Sequence, residues 1–242
     1  MKKTFKLFVF SALLISSVGN AQWSSNNKIK GNGKVISDTR TTSDYDAIKV
    51  AGSFDVDLVA GKEGKIIIKG EENLVSAIKV EVEGNVLKIY VEKGSNIRPS
   101  LGKKIEVTVP FEKISEVSLS GNVQSKNAIK TDKFVAKLAG SGNFDLDVNS
   151  NDLELNLSGS GNIRLKGNSN SLTSKLAGSG NIEATNLKAK NVDVNVSGSG
   201  NSRVNCAESL IARIAGSGDI KYSGNPEKRD VKVSGSGSIS KA

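Results

Sequence analysis

The chain has 242 residues, with 34 Lys and Arg against 25 Asp and Glu, and a formal net charge of +9. It contains no histidine and one cysteine, so the commonest general base and metal ligand is missing and no intramolecular disulfide can form. Basic and acidic residues are interleaved and aromatic residues make up only 5% of the chain, which disfavours nucleic-acid binding.

Residues 1–21 are predicted to be a secretory signal peptide. Lys2, Lys3 and Lys6 precede an apolar run from Leu7 to Val18, and small residues lead to a cleavage site after Ala21. The run is shorter than the ~20 apolar residues that a membrane-spanning helix requires. We therefore expect an exported protein without a transmembrane segment. The periplasm is the expected compartment, with the cell surface and the medium as alternatives.

The next two segments differ in pattern. Residues 22–42 are polar and rich in lysine, and we predict a flexible arm. Residues 43–115 contain β-branched, alternating segments such as GKIIIKG and KKIEVTVP, which predict strands. Glu83-Gly84-Asn85 predicts a hairpin turn, and Leu74 to Ile78 predicts a short helical turn. We interpret this second segment as a β-rich region that begins and caps a stack of coils formed by residues 116–242.

Residues 116–242 repeat one motif, seen clearly in LAGSGN at Leu138. The spacing is close to constant, because the steps between successive repeat starts are 19, 19, 19, 20, 18 and 19 residues. These starts are Leu119, Leu138, Leu157, Leu176, Val196, Ile214 and Val233. A period near 20 residues is typical of solenoids, in which each repeat is one unit of a stack.

Inside a repeat, residues alternate with a period of two. From Leu153 to Lys166, apolar residues and glycines alternate with polar residues, which predicts strands with one buried face. Each repeat is then a strand, a Gly-Ser-Gly corner, a second strand and a polar connection. We predict an all-β fold, a parallel β-helix or β-solenoid of ~19-residue coils, with coils ~4.8 Å apart.

The Gly-Ser-Gly motif has two interpretations. A glycine-rich phosphate loop needs a strand before it and a helix after it, whereas here a strand follows each time. In the alternation both glycines fall on the inward side, where glycine permits a sharp bend or a close backbone approach. We therefore predict structural corners and no cofactor site.

The serines and asparagines of the motif point outward and are the candidate ligand-binding residues. Stacking should align them into two rows of hydroxyl and amide groups, which could bind a repetitive ligand such as a glycan, or another protein. The alternative is that these residues only keep a tight turn solvated. The candidates are Ser141, Asn143, Ser160, Asn162, Ser179, Asn181, Ser199, Asn201, Ser217 and Asp219.

Two other kinds of site were weighed. β-Helices also host polysaccharide lyases and hydrolases, and Asp145, Asp147, Arg164 and Lys166 form the one charged cluster in the regular region that could serve such chemistry. Salt bridges are the simpler explanation for these charges. Asp-x-Asp pairs such as Asp145–Asp147 resemble calcium ligands but do not recur in every coil, so no metal is predicted. The lone cysteine, Cys206, is predicted to be a small buried apolar residue.

The order of motifs resembles a known family. A signal peptide, the opening YDAIKVAGSFDVDLVAG, the segment EVEGNVLKIYVEKG and the repeated LAGSGN are similar to the head GIN domain of autotransporter adhesins, from Tyr45 to Lys221. The family is found in envelope proteins of Bacteroidetes-type bacteria, and the resemblance implies a β-helical fold, an adhesive role and no catalytic residues. No separate translocation or sorting domain follows the repeats, so autotransport itself is not expected.

These observations together predict a non-enzymatic, exported module of the cell envelope that binds or adheres through a repetitive Ser/Asn surface. A carbohydrate-active enzyme on a β-helix scaffold is the alternative. A glycan or an envelope protein is the expected partner, with end-to-end self-association as a further possibility. Neither a cofactor nor nucleic acid is expected.

Overall fold

A computed structural model describes residues 27–242, so the predicted signal peptide lies outside the described residues. Residues 27–125 form eleven strands and one short helix. They are β1 (Asn27–Lys30), β2 (Val35–Thr41), β3 (Ala47–Ala51), β4 (Asp55–Ala60), β5 (Lys65–Glu71), α1 (Glu72–Val75), β6 (Ile78–Glu83), β7 (Val86–Val91), β8 (Ser95–Arg98), β9 (Glu106–Phe111), β10 (Glu116–Leu119) and β11 (Asn122–Ser125).

The coils that follow begin with longer strands, of 12 to 18 residues in β12 to β16, and end with three shorter ones. They are β12 (Ile129–Gly140), β13 (Asn143–Gly159), β14 (Asn162–Gly178), β15 (Asn181–Gly198), β16 (Asn201–Gly216), β17 (Asp219–Ser223), β18 (Lys228–Gly235) and β19 (Ser238–Lys241). Successive strands from β12 to β16 pair in parallel, and Leu138, Leu157 and Leu176 are direct partners. The predicted β-solenoid is confirmed, with about seven stacked coils.

The core of the solenoid follows the predicted alternation. Leu155 and Val194 are fully buried. Asn156, which follows Leu155 in the chain and faces outward, is half-buried. One inward column runs Ala136, Leu155, Ser174, Val194 and Ala212 in direct register, so small and large side chains alternate. This alternation fills a narrow interior without a mismatch in volume between neighbouring coils.

The first coils are stacked in an order that differs from the order of the sequence. β3 lies between β7 and β10, and pairs in parallel with both. β4 lies in the same way between β9 and β11. The coil of β3 and β4 is therefore inserted between a coil formed later in the chain and the start of the regular repeats.

Antiparallel strands cover the N-terminal edge of the stack, as expected for a cap. β5 pairs antiparallel with β9, β2 adds antiparallel to β5, and β6 pairs antiparallel with β7. The β6–β7 hairpin turns at Gly84-Asn85, which confirms the predicted turn, and Gly84 has a φ of +63°. The short helix lies at residues 72–75, two residues earlier than expected.

The prediction of a flexible arm at residues 22–42 is wrong for the part that the structure describes. β1 pairs in parallel with β8, and all seven residues of β2 pair with β5. Glu71, only 1% exposed, helps to hold this segment, because its carboxylate accepts hydrogen bonds from the backbone N–H of Gly33 (2.6 Å) and from Ser100 N–H (2.8 Å). β5, the pairing partner of β2, is distant in the chain, so the polar composition of residues 22–42 does not predict that they form a strand.

The C-terminal edge is open among the described residues. β18 pairs with β16 on one side, and all eight of its residues are exposed. Val231 and Val233, which occupy core positions in earlier coils, are 51% and 42% exposed. Such an edge offers unpaired backbone groups and apolar side chains to another strand.

Candidate binding surface

The Gly-Ser-Gly corner brings each serine to the surface for a steric reason. Gly159 has a φ of +124°, a conformation that side chains disfavour. Gly161 is buried, and a Cβ atom on it would lie 2.4 Å from the carbonyl oxygen of Gly142 and 2.8 Å from the side chain of Leu138. The first glycine therefore allows the chain to bend, and the second allows the close approach of backbone from the previous coil. Ser160, which lies between them, is exposed.

Backbone hydrogen bonds lock each corner onto the previous one. The N–H groups of Ser160 and Gly161 both donate to the carbonyl of Gly140 at 3.0 Å, and the N–H of Asn162 donates to the carbonyl of Gly142 at 3.0 Å. The same pattern recurs one coil later at Ser179. The corners are thus in register along the stack.

The asparagines form a continuous ladder of side-chain hydrogen bonds. Each Nδ2 donates to the Oδ1 of the asparagine one coil earlier. The distances are 3.1 Å for Asn143 to Asn122, 2.9 Å for Asn162 to Asn143, 3.0 Å for Asn181 to Asn162 and 3.1 Å for Asn201 to Asn181. The ladder has a direction, because every donor points toward the N-terminal end of the stack.

Aspartates stand at both ends of this ladder. At the first end, Asp55 accepts from Asn122 Nδ2 at 2.7 Å and pairs with Lys104 Nζ at 3.0 Å. Burial opposes ionisation of Asp55, but these two partners outweigh it and hold its pKa below the usual value. At the other end Asp219 accepts from the hydroxyl of Ser238 at 2.7 Å and from its N–H at 2.9 Å, which lower its pKa. The carboxylate of Asp55 only accepts hydrogen bonds. It suits the first position of the ladder, because no further amide among residues 27–242 lies beyond it to accept a hydrogen bond from an asparagine placed there.

The serine row lies beside the amide ladder, and its hydroxyl groups are available to a ligand. Its members are Ser141, Ser160, Ser179, Ser199 and Ser217, all exposed. Between residues 27 and 242 none of their hydroxyls makes a hydrogen bond to another protein group. The structure thus aligns the ten candidate residues along one edge of the stack; whether they bind a ligand stays a prediction.

Sequence reasoning missed a second amide array at the opposite corner of the coils. Asn170 Nδ2 donates to Asn151 Oδ1 at 2.8 Å, Asn151 donates to Asp132, and Asn168 donates to Asn149 at 2.8 Å. These residues line a groove of about 600 Å³. The signal was present in the sequence, since Asn149-Ser-Asn151 and Asn168-Ser-Asn170 stand 19 residues apart.

The charged cluster weighed as an enzyme site consists of neighbours on adjacent coils. Lys166 Nζ lies 3.6 Å from Asp147, and Asp145 is the direct strand partner of Arg164. Across residues 27–242 no group of three or more His, Cys, Asp or Glu side chains is placed to hold one metal ion. Within the same range no helix is long and apolar enough to cross a membrane.

Cys206 lies in the core of the later coils and is fully buried, as predicted. Its Sγ donates to the carbonyl of Ser209 at 3.1 Å. Burial raises the pKa of its thiol, so the reactive thiolate is disfavoured at neutral pH.

Several solved structures resemble this chain, among them three from Bacteroides and Parabacteroides species. A "putative adhesin" from Bacteroides fragilis is 27% identical with a TM-score of 0.84, and the match covers 88% of this chain and 100% of that chain. A "putative lipid binding protein" from Parabacteroides distasonis is 28% identical with a TM-score of 0.71, covering 89% and 100%. A "putative adhesin" from Parabacteroides merdae shares the fold, with 24% identity, a TM-score of 0.64 and coverage of 89% and 99%.

The family assignment rests on the length of the matched segment. No curated protein is similar enough to match the chain. A family model does match residues 44–226, a range that contains β3 to β17. The chain therefore belongs to the family described as "Putative auto-transporter adhesin, head GIN domain".

Proposed function

We propose that this protein is a non-enzymatic binding module of the cell envelope that holds a repetitive ligand, such as a glycan, on its Gly-Ser-Gly corner. The observation that carries the proposal is the row of exposed serine hydroxyls, one per coil, that have no hydrogen-bond partner among residues 27–242. Polar groups repeated at the ~4.8 Å strand spacing suit a ligand that also repeats.

The amide ladder supports this role in two ways. It fixes the position of the neighbouring corner, so a ligand meets a surface that is ordered before it binds. Each amide has two N–H donors and uses one of them in the ladder, so one donor per coil is left beside each serine hydroxyl. Sugar hydroxyls both donate and accept hydrogen bonds, and match this mixture of groups.

The relatives favour binding over catalysis, since both the family and the Bacteroides fragilis structure are described as adhesins. One relative is described as lipid-binding. In this chain the interior is filled by buried apolar side chains such as Leu155 and Leu157, so we place binding on the outer surface. The signal-peptide prediction places the module outside the cytoplasm, in the periplasm or at the surface.

A glycan array tests the proposal with two matched variants of the purified protein. The corner variant carries Ser160→Gln, Ser179→Gln and Ser199→Gln, which place bulky neutral side chains on the row. The control variant carries Ser37→Gln, Thr39→Gln and Thr41→Gln, at alternate exposed positions of β2 in the cap. We expect native and control proteins to bind the same glycans and the corner variant to lose them. Equal binding by all three proteins would place the function elsewhere.

A further inference from the structure

Over seven stacked strands, one face of the solenoid carries positive charges at every second strand. This face precedes the Gly-Ser-Gly corner in each coil, and its relevant position lies one residue before the repeat start. In direct strand register the residues there are Lys49, Ser118, Lys137, Asn156, Lys175, Asn195 and Arg213. The four basic members are called here the cation column, and neutral Ser or Asn separates each from the next. The alternation ends at both limits of this stretch, because Lys88 is the direct strand partner of Lys49 and Lys232 is that of Arg213.

The spacing follows from the geometry of the sheet. Coils are ~4.8 Å apart, so neighbouring members of the cation column are ~9.6 Å apart. This is close to the length of two sugar residues in an extended polysaccharide. Duplex DNA carries charges about 3.4 Å apart along each strand and would not match this period.

The alternation of cations with neutral residues is not explained solely by repulsion between like charges in neighbouring coils. The column beyond the corner solves that problem differently, by alternating signs at Asp145, Arg164, Glu183 and Arg203, with a Glu183–Arg203 ion pair of 3.1 Å. The cation column alternates charge with neutral polar groups instead. From Lys49 to Arg213 it therefore presents charge of one sign at every second strand, with one further lysine directly beside each end.

Two open grooves lie in line beside the cation column. The first, of about 380 Å³, includes Lys49 and Ser118 and has Tyr90 at its end. The second, of about 480 Å³, includes Lys175 with Asn156 and Asn195. Together they follow the stack from β7 to β15, over seven stacked strands or ~29 Å. An extended chain lying there would meet Lys88 and Lys49 on adjacent strands, and from Lys49 onward a cation and a neutral amide or hydroxyl in turn.

Acidic residues lie on the far side of the cation column. Glu116 pairs with Lys137 at 3.1 Å, and Glu154 approaches Lys175 at 4.0 Å. Both lysines remain accessible, with side chains 45% and 59% exposed. The acids stand two residues back along the strand, ~7 Å farther from the grooves than the cations. Exposed ion pairs contribute little to stability, so a ligand anion can share or exchange these partners at small cost.

We propose that this face binds a linear acidic polysaccharide that carries one carboxylate or sulfate on every second sugar. The anions would contact the cation column, and the neutral sugars would contact Ser118, Asn156 and Asn195. The inference concerns a face that is separate from the corner row and does not depend on ligand binding there. The aromatic ring of Tyr90 offers an apolar surface to a sugar at one end of the grooves.

Titration calorimetry tests this with hyaluronan oligosaccharides, which have one carboxylate per disaccharide, and with neutral cello-oligosaccharides of equal length. We expect affinity for hyaluronan to rise with each disaccharide up to four, when all four cations are engaged, and then to level off. It should weaken as salt is added. The neutral chains should bind at least about tenfold more weakly. An arm with κ-carrageenan oligosaccharides, which have one sulfate and no carboxylate per disaccharide, identifies whether sulfate is preferred to carboxylate.

Matched charge variants decide between a specific site and general attraction. Lys137→Gln, Lys175→Gln and Arg213→Gln together should weaken binding about tenfold or more. Arg164→Gln, Lys166→Gln and Lys221→Gln remove the same charge from exposed positions beyond the corner and should change affinity less than about twofold. Equal losses in both variants, or no binding of hyaluronan by the folded native protein, would overturn the inference. The corner variant should still bind hyaluronan through the cation column and lose only the glycans that occupy the serine row, which separates this result from failure of the proposed function.

Discussion

Gly161 lies so close to Gly142 of the previous coil that a Cβ atom on Gly161 would stand 2.4 Å from the Gly142 carbonyl oxygen. Equivalent glycines in the following coils are as crowded, with 2.3 Å at Gly180 and at Gly200. The motif is thus a consequence of the coil spacing at the corner. The exposed serine row exists because glycine is required on both sides of each serine.

Gly161→Ala should therefore destabilise the solenoid by about 1–3 kcal/mol, because backbone must move to admit the methyl group. Gly61→Ala is the control, since a Cβ there has nothing within 4 Å and its φ is not positive. It should change stability by less than about 0.5 kcal/mol. Urea unfolding followed by circular dichroism measures both. Equal effects at the two positions would show that close approach is not the reason for the second glycine.

The amide ladder should contribute to stability at each rung. Asn181→Ala removes a donor to Asn162 and an acceptor from Asn201, and should lower the free energy of unfolding by about 1 kcal/mol. Asn186→Ala is the control, because Asn186 is exposed and makes no side-chain hydrogen bond with residues 27–242. If both variants unfold at the same denaturant concentration as the native protein, the ladder is energetically neutral.

Acid should destabilise the first end of the ladder through Asp55. Its pKa is lowered in the folded protein relative to the usual 3.8, so its ionised form favours folding. That contribution is complete above pH 3.8 and is lost as the pH falls through the lower folded pKa. The native protein should consequently lose its stability advantage over Asp55→Asn below that pH. Thermal melts of both proteins across this range measure the difference, and a constant difference would contradict the assignment.

The two halves of the molecule differ in how far their structure could be predicted. In the regular coils each coil pairs with the next coil along the chain, so the 19-residue period alone predicts the register of Leu138, Leu157 and Leu176. In the cap, β3 pairs with β7 and β10, and nothing local in the sequence specifies those partners. β2 was interpreted as an arm because its outward residues are polar, while its pairing with β5 depends on a distant segment.

The candidate surface also has a part that the sequence predicts and a part that it does not. The rows of serine and asparagine could be predicted because they depend only on the period and the alternation. The direction of the ladder and the role of Asp55 could not, because Asp55 enters the column through the rearranged order of the first coils. The cation column likewise begins at Lys49, in a coil that precedes the regular repeats in the chain.

The open C-terminal edge should support self-association. Val231→Lys with Val233→Lys places charges on the exposed edge strand and should reduce association, because charged edges resist pairing. Val35→Lys is the control, since Val35 is 43% exposed on β2 in the cap. Sedimentation velocity over a range of concentrations should show association for the native and control proteins and a monomer for the edge variant. A native protein that is monomeric throughout would contradict this prediction.

Cys206 should be inert to thiol reagents while the protein is folded. Its burial and raised pKa disfavour the thiolate, so labelling with a chromogenic disulfide should be slow in buffer and complete in denaturant. Fast labelling of the folded protein would show that the later coils open more readily than their packing implies.

The most direct test of the central claim is a graded titration of the corner row with a glycan that the native protein binds. Single, double and triple Ser→Gln variants at 160, 179 and 199 would be compared by surface plasmon resonance, with the β2 control alongside. If the row binds a repetitive ligand, affinity should fall stepwise with each serine replaced. Unchanged affinity in the triple variant, or complete loss from one substitution with none from the others, would contradict a repetitive binding surface.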